Sequence, residues 1–347
     1  MVNELIEKFN TEPRQAWAGY HRSGVDGLIS SFNLSYALVA ARRAGMLGKL
    51  VDGGQRPLAE LTAGLDEHLA GNLLRYLDVM EVVRISGDTV RLTDQGLDMA
   101  APTALAQLEF YIEAYGPVVS QLTGLVKGEK VYGRDVARNG AALGRSCADL
   151  FSIYHDPIVL EVLTSLDVRK VLDLGCGAGQ FLLDACKADP TLLGVGLDID
   201  APSIGIAEGL ARDAGLADRL KFVVADAFRP ETWPAETRDA DAIFGVGVLH
   251  EHFRDGEDAV LTILNNLAGQ MRAGAVKSFV LGEPELRYDQ LENDCDLYLV
   301  HIFTAQGFPR KRELWLELFE KSDLYCRRVW TRPGAGPRFN FYDLAPR

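Results

Sequence analysis

Long apolar runs are missing from this 347-residue chain. None reaches the about 18 residues that a bilayer-crossing helix needs, so no transmembrane segment is predicted. An excess of positive charge is missing too. Lys and Arg number 36 against 49 Asp and Glu, a formal charge of -13. Such a chain is a poor general binder of nucleic acid or anionic membrane. Cysteine is scarce. Five residues without a C-x-x-C pair argue against a disulfide frame or a structural zinc cluster. Free thiols in a reducing, cytoplasmic setting are expected. Glu4, Glu7, Lys8, Glu12 and Arg14 interrupt the stretch from Met1 to Trp17, so a secretory leader is not expected. What is present is ordinary globular composition, 48% hydrophobic and 24% charged, at a length that suggests two domains.

The pattern changes character near residue 165. Before it, helical periodicity dominates: Leu34 to Leu50, with Leu34, Leu38, Ala41 and Leu47 roughly on one face, then Pro57 to Leu65 and Glu67 to Met80. Two β-prone runs around Gly87-Asp88, within Val82 to Leu92, predict a hairpin. Three helices and a hairpin suggest a winged-helix unit. Residues 30–100 carry seven Lys and Arg against nine Asp and Glu, so a DNA-binding footprint is absent. Residues 104–165 read as further helices. Beyond them, β-like runs occur at Val171–Leu174, Val195–Ile199, Phe222–Ala225, Ala242–Leu249 and Lys277–Leu281, separated by helical segments. This alternation predicts a parallel sheet covered on both faces. Two last runs, Tyr325–Thr331 and Phe339–Leu344, flank the turn cluster Pro333 to Pro337. That connection is too short for a crossover helix, so the pair should be antiparallel.

The sharpest local signal is Asp173-Leu174-Gly175-Cys176-Gly177-Ala178-Gly179, where a buried strand runs into glycines and then a helix. Glycines let the backbone turn tightly and approach a ligand, and the helix start offers free N–H groups. A dinucleotide fingerprint wants its third glycine one residue later, and a P-loop wants Gly-Lys-Ser/Thr. S-adenosylmethionine remains. Asp173 would receive its ammonium group. Asp198, nineteen residues after Gly179, would take the ribose hydroxyls, and Asp226 would meet the adenine amine. The stretch resembles the class I methyltransferase pattern D-x-G-x-G-x-G with both downstream acids. Gly175, Gly177 and Gly179, the three acids, and Ala227 and Phe228 beside Asp226 form the expected cofactor set.

Two of six histidines lie in Leu249-His250-Glu251-His252, just past the fourth strand, where doubly wound sheets bind ligands. The chain resembles the plant-type O-methyltransferases, whose motif there is Leu-His-Asp-Trp with the His as general base. Here the acid is longer by one methylene and the Trp is missing. The stretch Asp296 to Arg310 is similar to the bacterial 2-oxo acid C-methyltransferases, which act on phenylpyruvate-like acids in natural-product pathways. That resemblance implies a metal, iron or zinc, on His250, Glu251 and His301. The substrate would chelate it through its carboxylate and keto oxygens. The metal would then stabilise the enolate left by C3 proton loss, and C3 would attack the sulfonium methyl. In extended chain, His250 and His252 would share a face and Glu251 would oppose them, so His252 stands as substitute ligand or proton acceptor. Arg134, and behind it Arg145, are candidates for the substrate carboxylate. Tyr154 and Phe303 are candidate pocket walls.

The expected architecture is α/β. A doubly wound, Rossmann-like methyltransferase sheet with an antiparallel C-terminal hairpin occupies residues 156–347. Residues 1–155 form a helical, winged-helix-like dimerisation and substrate-cover domain. The expected function is C3 methylation of a small 2-oxo acid, in biosynthesis of a nonproteinogenic amino acid, by a homodimer. The alternative is a metal-free O-methyltransferase with His250 as general base.

Overall fold

The structure, a computed structural model, describes residues 11–154, 156–237, 239–274, 276–286, 297–304, 306–331 and 338–347. Its contacts divide the chain into two compact units, Met1–Ile112 and Glu113–Arg347. The sequence reading sets its boundary later, at 155/156.

The first unit is mainly helical. The segment expected as one helix from Leu34 is two, Val25–Arg43 and Met46–Gly53, because Gly45 adopts φ 75° between them. Only glycine enters that region readily. The helix Glu67–Val79 starts at Asp66, whose carboxylate accepts the Leu69 N–H at 3.0 Å. The hairpin forms as expected. Arg56–Pro57 (β1) pairs with Thr89–Leu92 (β3), and Val83–Ser86 (β2) pairs with β3 around Gly87. Leu38, Leu47, Leu61, Leu74 and Leu77 meet in its core.

The second unit holds seven strands: Lys170–Leu174 (β4), Leu193–Asp198 (β5), Leu220–Val224 (β6), Ala242–Val246 (β7), Ser278–Pro284 (β8), Leu324–Thr331 (β9) and Phe339–Pro346 (β10). Their order is β6-β5-β4-β7-β8-β10-β9. The first five run parallel, and β10 is antiparallel to both β8 and β9. The turn cluster Pro333 to Pro337 lies outside the described residues. Neighbouring residues split between the two faces. Leu172, Ile243 and Phe279 pack with Leu264 and Trp315, whereas Val171, Phe244 and Val280 pack with Phe181 and Phe341. Burial on both faces explains why these strands read as continuous apolar runs.

Strand order reverses at β4, which lies between β5 and β7. A crevice opens at the carboxyl ends of such strands. Strand β7 also ends earlier than expected. The run predicted to reach Leu249 stops at Val246, Gly247 turns the chain at φ 68°, and Leu249–Asp255 is a 3-10 helix. Among the described residues, no helix is long and apolar enough to cross a membrane.

Candidate active site

The glycine loop follows β4 directly. Gly175, Gly177 and Gly179 all have positive φ, between 52° and 77°. A Cβ on Gly175 would lie 2.7 Å from Val248 Cγ1, whereas nothing lies within 4 Å in front of Gly177. The Gly175 and Cys176 N–H groups donate to Leu197 O at 2.8 and 3.0 Å, tying the loop to β5. Asp198, ending β5, accepts the Gly177 N–H at 2.8 Å and the Asp200 N–H at 2.9 Å. Asp173 is buried beside it and forms no side-chain hydrogen bond among the described residues. Burial, then the charge of Asp198, pushes its carboxyl up to about 8. A buried carboxyl without a donor suits an incoming cation. Asp226 accepts the Phe228 N–H at 2.9 Å. Ala227 is buried in the core. All the sequence-predicted cofactor residues thus line the ends of β4, β5 and β6.

The second cluster is built on the 3-10 turn. Glu283, fully buried at the end of β8, accepts the Leu249 and His250 N–H groups at 2.8 and 3.3 Å. Its other oxygen accepts from His250 Nδ1 at 2.6 Å. One distant carboxylate therefore starts the turn and orients the ring. His301, on the helix Leu297–Phe303, donates through Nδ1 to the Leu297 carbonyl at 2.6 Å. A carbonyl only accepts, so the hydrogen sits on Nδ1. Burial, then His250, lowers the His301 pKa to about 4, which keeps the ring neutral near pH 7. The two Nε2 atoms face each other at 3.4 Å.

Glu251 points its carboxylate elsewhere. It accepts from Gln306 Nε2 at 2.6 Å and pairs with Arg138 at 3.5 Å. Among the described residues, no group of three or more His, Cys, Asp or Glu is arranged to hold a metal. The expected carboxylate–histidine triad is thus a facing histidine pair with a carboxylate beside it. Arg138 also donates to the Tyr115 hydroxyl at 3.3 Å. Burial opposes its charge, but Tyr115, Glu251 and Tyr132 outweigh that and hold it protonated.

Three expectations change. A 3-10 turn spaces successive side chains by about a third of a revolution, so His250 and His252 do not share a face. His252 packs edge-on against Phe228, with ring centroids 4.4 Å apart. Burial, then Arg254, lowers its pKa. Arg134 does not join the cluster. Its side chain is 70% exposed and forks onto its neighbour Asp135, while Arg138, four residues on, occupies the site. Arg145 pairs with Glu113 at 3.4 Å. Phe303 is half-buried, and the side chain of Tyr154 lies outside the described residues, as do Asp296 and Ala305 of the stretch that carries the 2-oxo acid resemblance. Sequence reasoning missed Glu283, Arg138 and Gln306. Only Glu283 left a signal, a charge closing the apolar run Phe279-Val280-Leu281.

A family described as a methyltransferase domain matches residues 171–269, from the cofactor loop through the histidine turn. A 2-ketoarginine methyltransferase of Streptomyces arginensis is 28% identical over 326 residues, 91% of either chain. The chain is a class I S-adenosylmethionine-dependent methyltransferase. Its fold extends well beyond the matched domain. A solved mitomycin 7-O-methyltransferase superposes with a TM-score of 0.66 at 21% identity, covering 96% of this methyltransferase and 100% of that chain. Human N-acetylserotonin methyltransferase superposes with a TM-score of 0.68 at 15% identity, covering 99% of each. At these identities the likeness is one of fold.

Proposed function

We propose that this methyltransferase moves the methyl group of S-adenosylmethionine to C3 of a small 2-oxo acid, with a metal ion, iron or zinc, held at His250 and His301. The reaction would serve the biosynthesis of a nonproteinogenic amino acid. The facing Nε2 atoms carry this reading. With both Nδ1 hydrogens given to acceptors, the neutral form of the pair turns two lone pairs toward each other at 3.4 Å, an arrangement that a cation between them relieves. Imidazole–metal bonds of about 2.1 Å at a tetrahedral angle put two nitrogens about 3.4 Å apart. The buried carboxylate behind His250 and the carbonyl behind His301 are the outer partners that orient such ligands. The substrate in the relative's name, 2-ketoarginine, is itself a 2-oxo acid, which supports the acceptor class.

When bound, the metal would act as a Lewis acid toward the two oxygens of the acid. The chain's own residues do the rest. Arg138 offers a planar guanidinium to the substrate carboxylate, the part expected of Arg134. Asp173 receives the cofactor ammonium, Asp198 the ribose hydroxyls, and Asp226 with Phe228 the adenine. The sheet ends hold C3 against the methyl, and that alignment supplies much of the rate.

The 2.6 Å bond from His250 to Glu283 favours a second reading. An imidazole aligned by a buried carboxylate is also a general base for O-methylation. The test combines product and metal. Protein purified without a metal-affinity tag is assayed for metal per chain, wild type beside His301→Ala. It is also incubated with aromatic, branched and guanidino 2-oxo acids. A C3-methylated product and about one metal per chain, lost in the variant, are expected. Methylation of hydroxyl acceptors by metal-free protein overturns the proposal and leaves His250 as general base.

A further inference from the structure

We propose that Gln306, oriented by Thr304, is the positioning residue that fixes the Glu251 carboxylate and, through it, the guanidinium of Arg138. The inference rests on the proposed role of Arg138 toward the substrate.

The stretch Thr304 to Arg310 has no part in the chemistry derived so far. At Gly307 the backbone nevertheless lies directly on the histidine turn. A Cβ at Gly307 would stand 2.1 Å from His250 O and 2.8 Å from Phe253 N. The Gly307 N–H donates to Glu251 O at 3.2 Å. Glycine is the residue that permits this approach. With the backbones in register, Gln306, only 7% exposed, reaches Glu251 through Nε2 at 2.6 Å.

The orientation of that amide is determined by its other end. Gln306 Oε1 lies 2.8 Å from Thr304 Oγ1, which also lies 2.7 Å from Val300 O. A hydroxyl has one hydrogen. Given to Val300, it would leave Thr304 and Gln306 as two oxygens in contact with no hydrogen between them. Reversing the amide would instead press Oε1 against the Glu251 carboxylate at 2.6 Å. An ionised Glu251 admits one arrangement: Thr304 donates to Gln306, and Gln306 donates to Glu251. The same Glu251 oxygen pairs with Arg138, so the chain Thr304–Gln306–Glu251–Arg138 is continuous. Partly buried networks of this kind hold a single geometry when every member is satisfied.

The variants are Gln306→Leu, Thr304→Val, which keeps shape without the hydroxyl, and Thr304→Ser, which keeps the hydroxyl. Gln306→Leu and Thr304→Val should each raise KM for the 2-oxo acid about tenfold, a usual cost of losing an outer partner. S-adenosylhomocysteine affinity should stay at the wild-type value. Thr304→Ser should behave as wild type, and the double variant should be no worse than either single one. A second readout needs neither substrate nor metal. The Gln306 side-chain amide protons, assigned by their loss in Gln306→Leu, should be split widely by the short bond to the carboxylate and should collapse in Glu251→Ala. Additive losses, equal effects of Thr304→Val and Thr304→Ser, or an ordinary amide signal would overturn the inference. Wild-type protein inactive on every 2-oxo acid would refute the proposed reaction, while the amide signal would still decide the role of Gln306.

Discussion

Asp173 is a carboxyl placed where its own charge is opposed. Burial, then Asp198, raises it from 3.8 to about 8, so the cofactor-free protein holds a proton there at neutral pH. The unfolded chain releases that proton near its ordinary value. Folding stability without cofactor therefore falls as pH rises between these two values, and levels above the folded one. The cofactor ammonium reverses the preference, because it binds the ionised form. Affinity for S-adenosylhomocysteine should accordingly rise with pH and level off above about 8. Titration calorimetry between about pH 6 and about pH 9 measures it, with Asp173→Asn expected to be weaker and flat. A flat wild-type profile, or the same slope in Asp173→Asn, would show that Asp173 is not the cation's partner.

The histidine turn shows how an element can depend on residues far from it in sequence. Leu249 to Asp255 has no helix signal of its own; its first N–H groups are taken by Glu283, and its backbone is pressed by Gly307. This is why the apolar run through Leu249 reads as strand, while the glycine loop, whose motif lies within seven consecutive residues, reads correctly as a strand-to-helix turn. The same distinction separates the site residues. Asp173, Asp198 and Asp226 end recognisable strands, so their convergence follows from topology. Glu283 and Arg138 gain their roles only from tertiary contact. Gly307→Ala tests the dependence directly. Its Cβ must displace the turn, costing about 1–3 kcal/mol by overpacking. Thermal melting should fall, and turnover should drop at least about tenfold because the His250 ring moves with its backbone. S-adenosylhomocysteine affinity should hold, since the Gly175–Gly179 loop is untouched. Wild-type turnover in Gly307→Ala would show that the turn keeps its shape unaided.

At the scale of the whole molecule, a net charge of -13 opposes the approach of a second chain. The helix Val25–Arg43 offers a route around that repulsion. Val25, Leu28, Ile29, Phe32 and Tyr36 recur every three or four residues on one exposed face, with Leu28 at 69% and Phe32 at 62%. Ala37, Leu38 and Ala41 are buried. The helix is thus apolar on two sides, and the side toward the core accounts for the pattern read from Leu34. No Asp, Glu, Lys or Arg lies between Gly27 and Ala41, so two copies could meet there without burying a charge. An exposed apolar stripe of this length marks an interface, and a two-fold pair covers it with its own copy. We therefore expect a homodimer through this helix. Sedimentation should give twice the chain mass for wild type and one chain mass for Leu28→Glu/Phe32→Glu, with helical content unchanged. A double variant that remains dimeric would move the interface elsewhere. A monomeric wild type would mean that the stripe serves a different occupant.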